Sequence, residues 1–248
     1  MPDLFTLSGK IALATGGGSG IGETIALALS DAGASIILVG RRMDRLESAI
    51  GNREGICVTA DLFKDDAVDE IAAACNKANV APDIIVNAAG LNPRLHADDI
   101  SIEDWNRTIH LNLSVPFFLA QKFVPAMKSK GWGRIINIAS LQSERAFTNG
   151  IAYGASKGGI TQLTRAMAEA WSKDGINANA IAPGFFPTEL TAAVFADNER
   201  AERNAQQTAI GRNGVLADLA GPAVFLASEA SRYVTGQVLF VDGGYTAK

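Results

Sequence analysis

Short apolar runs alternate with longer amphipathic stretches along the whole chain. Ile11-Ala12-Leu13-Ala14 is an unbroken apolar run. Ile21 to Ala32 follows, with Ile21, Ile25, Leu27, Ala28 and Leu29 recurring at roughly helical spacing. The same alternation predicts strands at Ala34 to Val39, Gly55 to Thr59, Asp83 to Val86, Arg134 to Ile138, Ile176 to Ile181 and Gln237 to Val241. Between them it predicts helices at Met43 to Ile50 and Lys64 to Lys77, and a long helical region from Ser101 to about Lys130 in which Pro116 marks a kink or boundary. Further helices are predicted over Ile151 to Lys173, in two pieces over Glu189 to Gln207, and over Leu216 to Ser228. Strands this apolar need cover on both faces. The pattern therefore predicts an α/β fold, a parallel sheet of about seven strands with helices on both sides.

The first strand and helix are joined by Thr15-Gly16-Gly17-Gly18-Ser19-Gly20-Ile21-Gly22. Glycines let the backbone turn sharply and approach a ligand, because they carry no Cβ. The helix start adds free N–H groups and the positive end of a dipole, which suits a pyrophosphate. The spacing is T-G-x-x-x-G-x-G, not the common G-x-G-x-x-G fingerprint. In a parallel sheet, ligands lie outside the carboxyl ends of the strands. Read that way, Gly16 to Gly22, Arg41, Asp61, Asn87 to Gly90, Ser140 and Pro183-Gly184 converge.

Composition narrows the field. The 248 residues are 48% hydrophobic, enough for one large core, and no repeat, linker or low-complexity segment divides them. The net charge is −4 with no basic tract, which argues against nucleic acid or anionic membranes as partners. Cys57 and Cys75 form no metal-like spacing and read as small core residues, so no metal is expected. The first ten residues lack the layout of a signal peptide and no apolar run is long enough to span a bilayer, so a soluble cytoplasmic protein is expected.

Ser140 ends the fifth strand, Tyr153 opens the next helix, and Lys157 follows one turn later on the same face. A tyrosine normally keeps its proton to about pH 10. A nearby ammonium favours the phenolate and lowers that value. Tyr153 could then exchange a proton with an alcohol oxygen near neutral pH, while Ser140 hydrogen-bonds the same oxygen. Tyr and Lys at this spacing are also ordinary on helices, so the pair alone decides nothing.

Taken jointly, these pieces resemble the short-chain dehydrogenase/reductase family along nearly the whole chain. The matching residues are Thr15-Gly16-x-x-x-Gly20-Ile21-Gly22, Asn87-Ala88-Ala89-Gly90, Asn112, Ser140, Tyr153-x-x-x-Lys157, Pro183-Gly184 with Thr188, and Asp242-Gly243-Gly244. The resemblance implies one Rossmann-like, doubly wound domain over residues 1–248, with 185–212 as a substrate-binding loop and helical insertion. It implies that Tyr153 is the general acid/base and that Lys157 lowers its pKa and binds the nicotinamide ribose. Ser140 would orient the substrate, and Asn112 would hold a water in a proton relay. Gly16, Gly18, Ser19, Gly20, Ile21 and Gly22 would bind cofactor phosphates; Asp61 and Leu62 would flank adenine. Asn87, Ala88, Ala89 and Gly90 would line the cofactor and steady the sheet, and Pro183, Gly184, Phe186 and Thr188 would lie along the nicotinamide. Family members are commonly homotetramers, so a homotetramer or homodimer is implied.

An NAD site usually carries an acid about 20 residues past the glycine turn. Here Gly40 stands there, followed by Arg41 and Arg42, which suit a 2′-phosphate. NADP(H) is therefore favoured, with NAD(H) as the second candidate and a solvated pair of helix-opening charges as the plain alternative. For substrate, the stretches at Ser140–Glu144, Ala182–Thr191 and Leu239–Gly244 are similar to the gluconate 5-dehydrogenase branch, which implies a sugar acid or polyol. Arg94 could pair with a carboxylate, or be a loop surface charge; Gln142 and Glu144 could bond sugar hydroxyls. Phe185, Phe186 and Phe195 could cover the substrate or merely pack; His96 and His110 read as structural. A second enzyme reading is a 3-oxoacyl-thioester or general ketone reductase, weakly disfavoured because 185–212 offers only Arg200, Arg203 and Arg212 for a pantetheine phosphate. A third is a non-catalytic nucleotide-binding protein on the same fold.

Overall fold

The structure, a computed structural model, describes residues 3–248. Seven parallel strands form one sheet in the order β3-β2-β1-β4-β5-β6-β7. In chain order the strands are β1 (Ile11–Thr15), β2 (Ser35–Gly40), β3 (Gly55–Thr59), β4 (Ile84–Asn87), β5 (Gly133–Ile138), β6 (Ile176–Pro183) and β7 (Val238–Val241). The helices are α1 (Gly20–Asp31), α2 (Met43–Ile50), α3 (Ala67–Lys77), α4 (Ile102–Ile109), α5 (Val115–Lys130), α6 (Ile151–Trp171), α7 (Ala192–Phe195), α8 (Asn198–Gln207) and α9 (Ala220–Ala227). This is the expected Rossmann-like, doubly wound sheet.

The period of two along each strand sorts side chains between two cores. Ala12, Ile36, Leu38, Ile84, Val86 and Ile136 meet Ile25 and Leu29 of α1, Leu46 of α2 and Leu226 of α9. Leu13, Ile37, Val39, Ile85 and Ile135 meet Ile71 of α3, Leu119 and Val124 of α5 and Met167 of α6. Each fully buried branched side chain stabilises the fold by roughly 1.5–3 kcal/mol. The strand order reverses between β1 and β4, and that crevice is where such sheets take their ligands.

Several boundaries differ from the sequence expectation. The stretch from 102 to 130 is helical throughout, and an irregular turn ends within two residues of the boundary expected at Pro116. A π-helical turn at His110–Ser114 separates α4 from α5. Pro116 sits in the first turn of α5, directly after residues that are already helical, so its missing N–H removes a helical bond and fits the irregular turn there. The helix expected from Lys64 begins at Ala67, and Leu216–Leu219 is a 3-10 turn before α9. The helix expected to reach Lys173 ends at Trp171, because a 3-10 turn leads into Gly175 at φ +80°. Glu189–Thr191 is likewise a 3-10 turn, followed by the two short helices α7 and α8. Among the described residues, no helix is long and apolar enough to cross a membrane.

Candidate active site

One cleft of about 710 Å³ runs along the carboxyl ends of the strands. Its floor at one end is the glycine turn. Gly16 has φ +67°, and a Cβ there would press to 3.2 Å from the Ala89 nitrogen. A Cβ at Gly22 would overlap the Gly16 carbonyl oxygen. Ser19 caps α1 in an extended conformation but makes no side-chain hydrogen bond to the helix, so the first N–H groups of α1 face the cleft uncapped by it. Gly18, Ser19, Gly20 and Ile21 also line the cleft. The Thr15 hydroxyl accepts from the Ala88 and Ala89 amides, each at 3.1 Å, and so fixes the end of β4 beside β1. This cradle of main chain and helix start fits a cofactor diphosphate.

Arg41, Arg42, Asp61, Leu62, Ala88, Ala89, Gly90, Pro183, Gly184, Phe186 and Thr188 all lie along the same cleft, as expected. Arg42 reaches across it, donating to both Glu189 carboxylate oxygens at 3.1 Å. Asn87 does not line the cleft. It is buried beneath it, donating from Nδ2 to Asn137 Oδ1 at 2.8 Å and tying β4 to β5. The sheet-steadying half of its expected role is what the geometry contains.

At the other end, Ser140 caps a 3-10 turn at Leu141–Ser143, its Oγ accepting from the Gln142 amide at 3.1 Å. The Ser143 hydroxyl donates to the Lys157 carbonyl at 2.7 Å, locking that turn onto α6. Tyr153 and Lys157 stand one turn apart on α6, both facing the cleft. Burial pushes the Tyr153 hydroxyl up; hydrogen bonding to Ser140 and the charge of Arg94 pull it back. Burial brings the Lys157 ammonium down to about 8. Its Nζ donates to the Ile138 carbonyl at 2.5 Å and lies 5.5 Å from the Tyr153 ring centre. Arg94 and Ser140, rather than Lys157, are the groups that pull the tyrosine back. In the protein without cofactor, desolvation outweighs the opposing influences on Tyr153.

Asn112 sits in the π turn, 1% exposed, behind this pair. Its Nδ2 donates to the Leu91 carbonyl at 2.8 Å and to Ser156 Oγ at 3.0 Å, and its Oδ1 accepts from the Leu91 amide at 2.8 Å. Both amide hydrogens are thus committed to clamping the loop after β4 onto α6.

Among the substrate candidates, Arg94 and Gln142 line the cleft and Glu144 does not. Glu144 is exposed and lies in a separate shallow depression with Arg165 and Gln237, because the 3-10 turn after Ser140 carries it outward. Its assignment to substrate is corrected. Arg94 holds φ +54°, its amide donating to Asn92 Oδ1 at 3.2 Å, which aims its side chain inward from the loop. Phe186 is core and Phe185 is cleft wall, packed edge-on against Phe147 and Tyr245; Phe195 does not reach the cleft. His96 caps a 3-10 turn, and His110 Nε2 lies 2.9 Å from the Leu62 carbonyl.

Arg45, Arg107, Glu189 and Asn204 also line the cleft without having been singled out from the sequence, and so does Arg200, named there only as a contact for a pantetheine phosphate. They belong to no contiguous motif. The one available signal was the i, i+4 spacing of Arg200 and Asn204 on a predicted helix.

Comparison with known proteins agrees with this architecture. A family model described as enoyl-(acyl carrier protein) reductase matches residues 16–246. Gluconate 5-dehydrogenase of Gluconobacter oxydans is 40% identical over 250 residues, covering 99% of this chain and 98% of that protein. The 2-dehydro-3-deoxy-D-gluconate 5-dehydrogenase of Bacillus subtilis is 42% identical over 253 residues, with 99% and 98% covered. The crystal structure of a gluconate 5-dehydrogenase from Burkholderia cenocepacia, in complex with NADP and tartrate, superposes with a TM-score of 0.94 at 37% identity, covering 99% of this chain and 98% of that one. With the glycine cradle, the Ser140–Tyr153–Lys157 grouping and relatives matched end to end, the chain belongs to the short-chain dehydrogenase/reductase family of NAD(P)-dependent oxidoreductases.

Proposed function

We propose that this protein interconverts a secondary hydroxyl of a sugar acid with its ketone, of the gluconate/5-keto-gluconate type, using NADP(H). The observation that carries the reading is Arg94. Its guanidinium stands in the same cleft as Tyr153, near enough that its charge favours the phenolate. A substrate with a carboxylate on Arg94 would present a nearby carbon to Tyr153 and Ser140. The relatives described above are named for sugar acids of this kind.

In reduction, the Tyr153 hydroxyl gives its proton to the carbonyl oxygen, and in oxidation the phenolate takes it back. Ser140 hydrogen-bonds the same oxygen and holds the reacting carbon in place. The nicotinamide, when bound, supplies or accepts the hydride. Lys157 carries charge next to Tyr153 and is placed to bind the ribose, and Asn112 holds the loop and helix that frame both. Gly16 to Gly22 hold the diphosphate, Asp61 and Leu62 flank the adenine, and Arg41 and Arg42 receive the 2′-phosphate. Residues 185–212 act as the substrate-binding insertion within a single domain. Exposed apolar side chains on α4, α5 and α6 (Ile102, Trp105, Phe118 and Ile151) favour a homotetramer or homodimer. A cytoplasmic location suits the free thiols Cys57 and Cys75.

A thioester substrate is less well served. Arg203 lies outside the cleft, and Arg212 is bound to Asp218 at 2.7 Å. The test is steady-state oxidation of NADPH and NADH against 5-keto-gluconate, neutral keto-sugars and an acetoacetyl thioester. Turnover of the keto acid with NADPH is expected. Turnover of the thioester alone would overturn the substrate assignment, and activity with NADH alone would overturn the reading of Arg41 and Arg42.

A further inference from the structure

We infer that Arg200 and Asn204, on α8, complete an oxyanion subsite with Arg94 that receives the substrate's carboxylate and selects acids over neutral sugars. This rests on the sugar-acid reading of the cleft and adds the residues that would enforce it.

The three side chains come from two separate walls. Arg94 projects from the loop after β4, and Arg200 and Asn204 project from one face of α8, one turn apart. All three line the cleft that holds Tyr153. The two guanidiniums feel each other: the charge of Arg200 works against that of Arg94. Among the described residues neither has a carboxylate partner. Arg94 has one donor spent on the Leu190 carbonyl at 3.3 Å. Glu189, the acid of the adjoining turn, is taken by Arg42.

Asn204 adds a third donor. Its Nδ2 is enclosed and has no acceptor. A buried amide left this way is costly, and turning the side chain toward an oxygen in the cleft it borders would relieve the cost. Two guanidiniums without a carboxylate partner facing one volume ask for an anionic ligand with at least two acceptor oxygens. Guanidinium forks match a carboxylate or a phosphate monoester in this way. The proximity of Arg94 to Tyr153 places that anion a few bonds from the reacting carbon, which suits the carboxylate of a short sugar acid.

The test compares kcat/KM for 5-keto-gluconate with that for the neutral ketose L-sorbose, both with NADPH, in the full-length protein. Arg200→Gln is expected to lower the acid-to-neutral ratio by about tenfold or more, the range of a lost charge-assisted contact. Arg200→Lys should recover part of it, and Asn204→Leu should lower it less. Arg203→Gln, outside the cleft, should leave it unchanged. A second readout needs no turnover: gluconate, but not glucose, should raise the melting temperature of the wild type, and Arg200→Gln should abolish that rise. If the wild type reduces keto acids but the ratio in Arg200→Gln stays within twofold, the subsite is wrong and the sugar-acid reading stands. If gluconate stabilises through Arg200 without any keto-acid turnover, the subsite stands and the reaction assignment is wrong. A phosphorylated ketose preferred over the keto acid would overturn the carboxylate assignment.

Discussion

At one end of the cleft the wall is main chain, and at the other it is side chain. The proposed cofactor end is built by Gly16, Gly18, Gly20 and Gly22, whose missing Cβ atoms let the turn pack against the Ala88–Ala89 and Gly16 main chain, Leu46 and Thr188. The proposed substrate end is lined by Arg94, Gln142, Arg200 and Asn204, drawn from three stretches of sequence onto one cavity. A backbone site tolerates almost no substitution but needs no partner residue. A side-chain site can be retuned one residue at a time. That difference is why one family can keep its cofactor and change its substrate.

The sharpest way to break the comparison is at Gly22. A valine there must displace the Gly16 carbonyl, so NADPH affinity should fall by roughly tenfold to a hundredfold, the range of an overpacked position. Fluorescence titration of NADPH reads this directly. An unchanged dissociation constant would mean that the cradle is not the cofactor site.

Lys157 lies where the two ends meet and carries the next effect. Its folded-state value of about 8 lies below its ordinary 10.5, so it is charged in both states below pH 8 and the fold bears the full desolvation cost there. Between 8 and 10.5 the unfolded chain binds the extra proton, so stability rises with pH. Lys157→Met should therefore be more stable than wild type at pH 7, by up to roughly 3 kcal/mol before the lost bond to the Ile138 carbonyl is subtracted. The gap should close as pH rises through that window. Urea melts at pH 7 and pH 10 check it, and a gap that widens with pH would contradict the assignment.

The smallest pair of effects concerns the bridge across the cleft. Arg42→Ala should weaken NADPH several-fold to about tenfold and NADH less than twofold, since only NADPH carries the 2′-phosphate. Glu189→Gln frees Arg42, so NADPH should tighten by no more than a few-fold, because the ion pair is more than half exposed at both partners. Equal shifts for the two cofactors in either variant would place Arg42 away from the 2′-phosphate.

The same contrast explains what could be read in the sequence. Seven apolar runs marked seven strands, and their near-continuous apolar character marked a sheet covered on both faces. The glycine turn was legible because glycine spacing is itself the geometry. Tyr153 and Lys157 were legible because a helix fixes their relation. Arg200 and Asn204 were not, since nothing local says which face of a charged helix meets a loop a hundred residues earlier. Glu144 was misplaced for the converse reason: its neighbour Ser140 points into the cleft, but the 3-10 turn between them reverses the direction of the chain. Pro116 marked the break before α5 to within two residues, because a helix irregularity commonly sits beside a proline's missing N–H.

The central claim is that proton transfer belongs to Tyr153 while the cofactor is held by other groups. Tyr153→Phe, assayed for NADPH binding and for 5-keto-gluconate reduction in the same preparation, tests it most directly. The account predicts a loss of kcat of roughly a hundredfold to ten-thousandfold, the usual worth of a positioned acid, with the NADPH dissociation constant within about twofold of wild type. Turnover that survives the loss of the hydroxyl would contradict it.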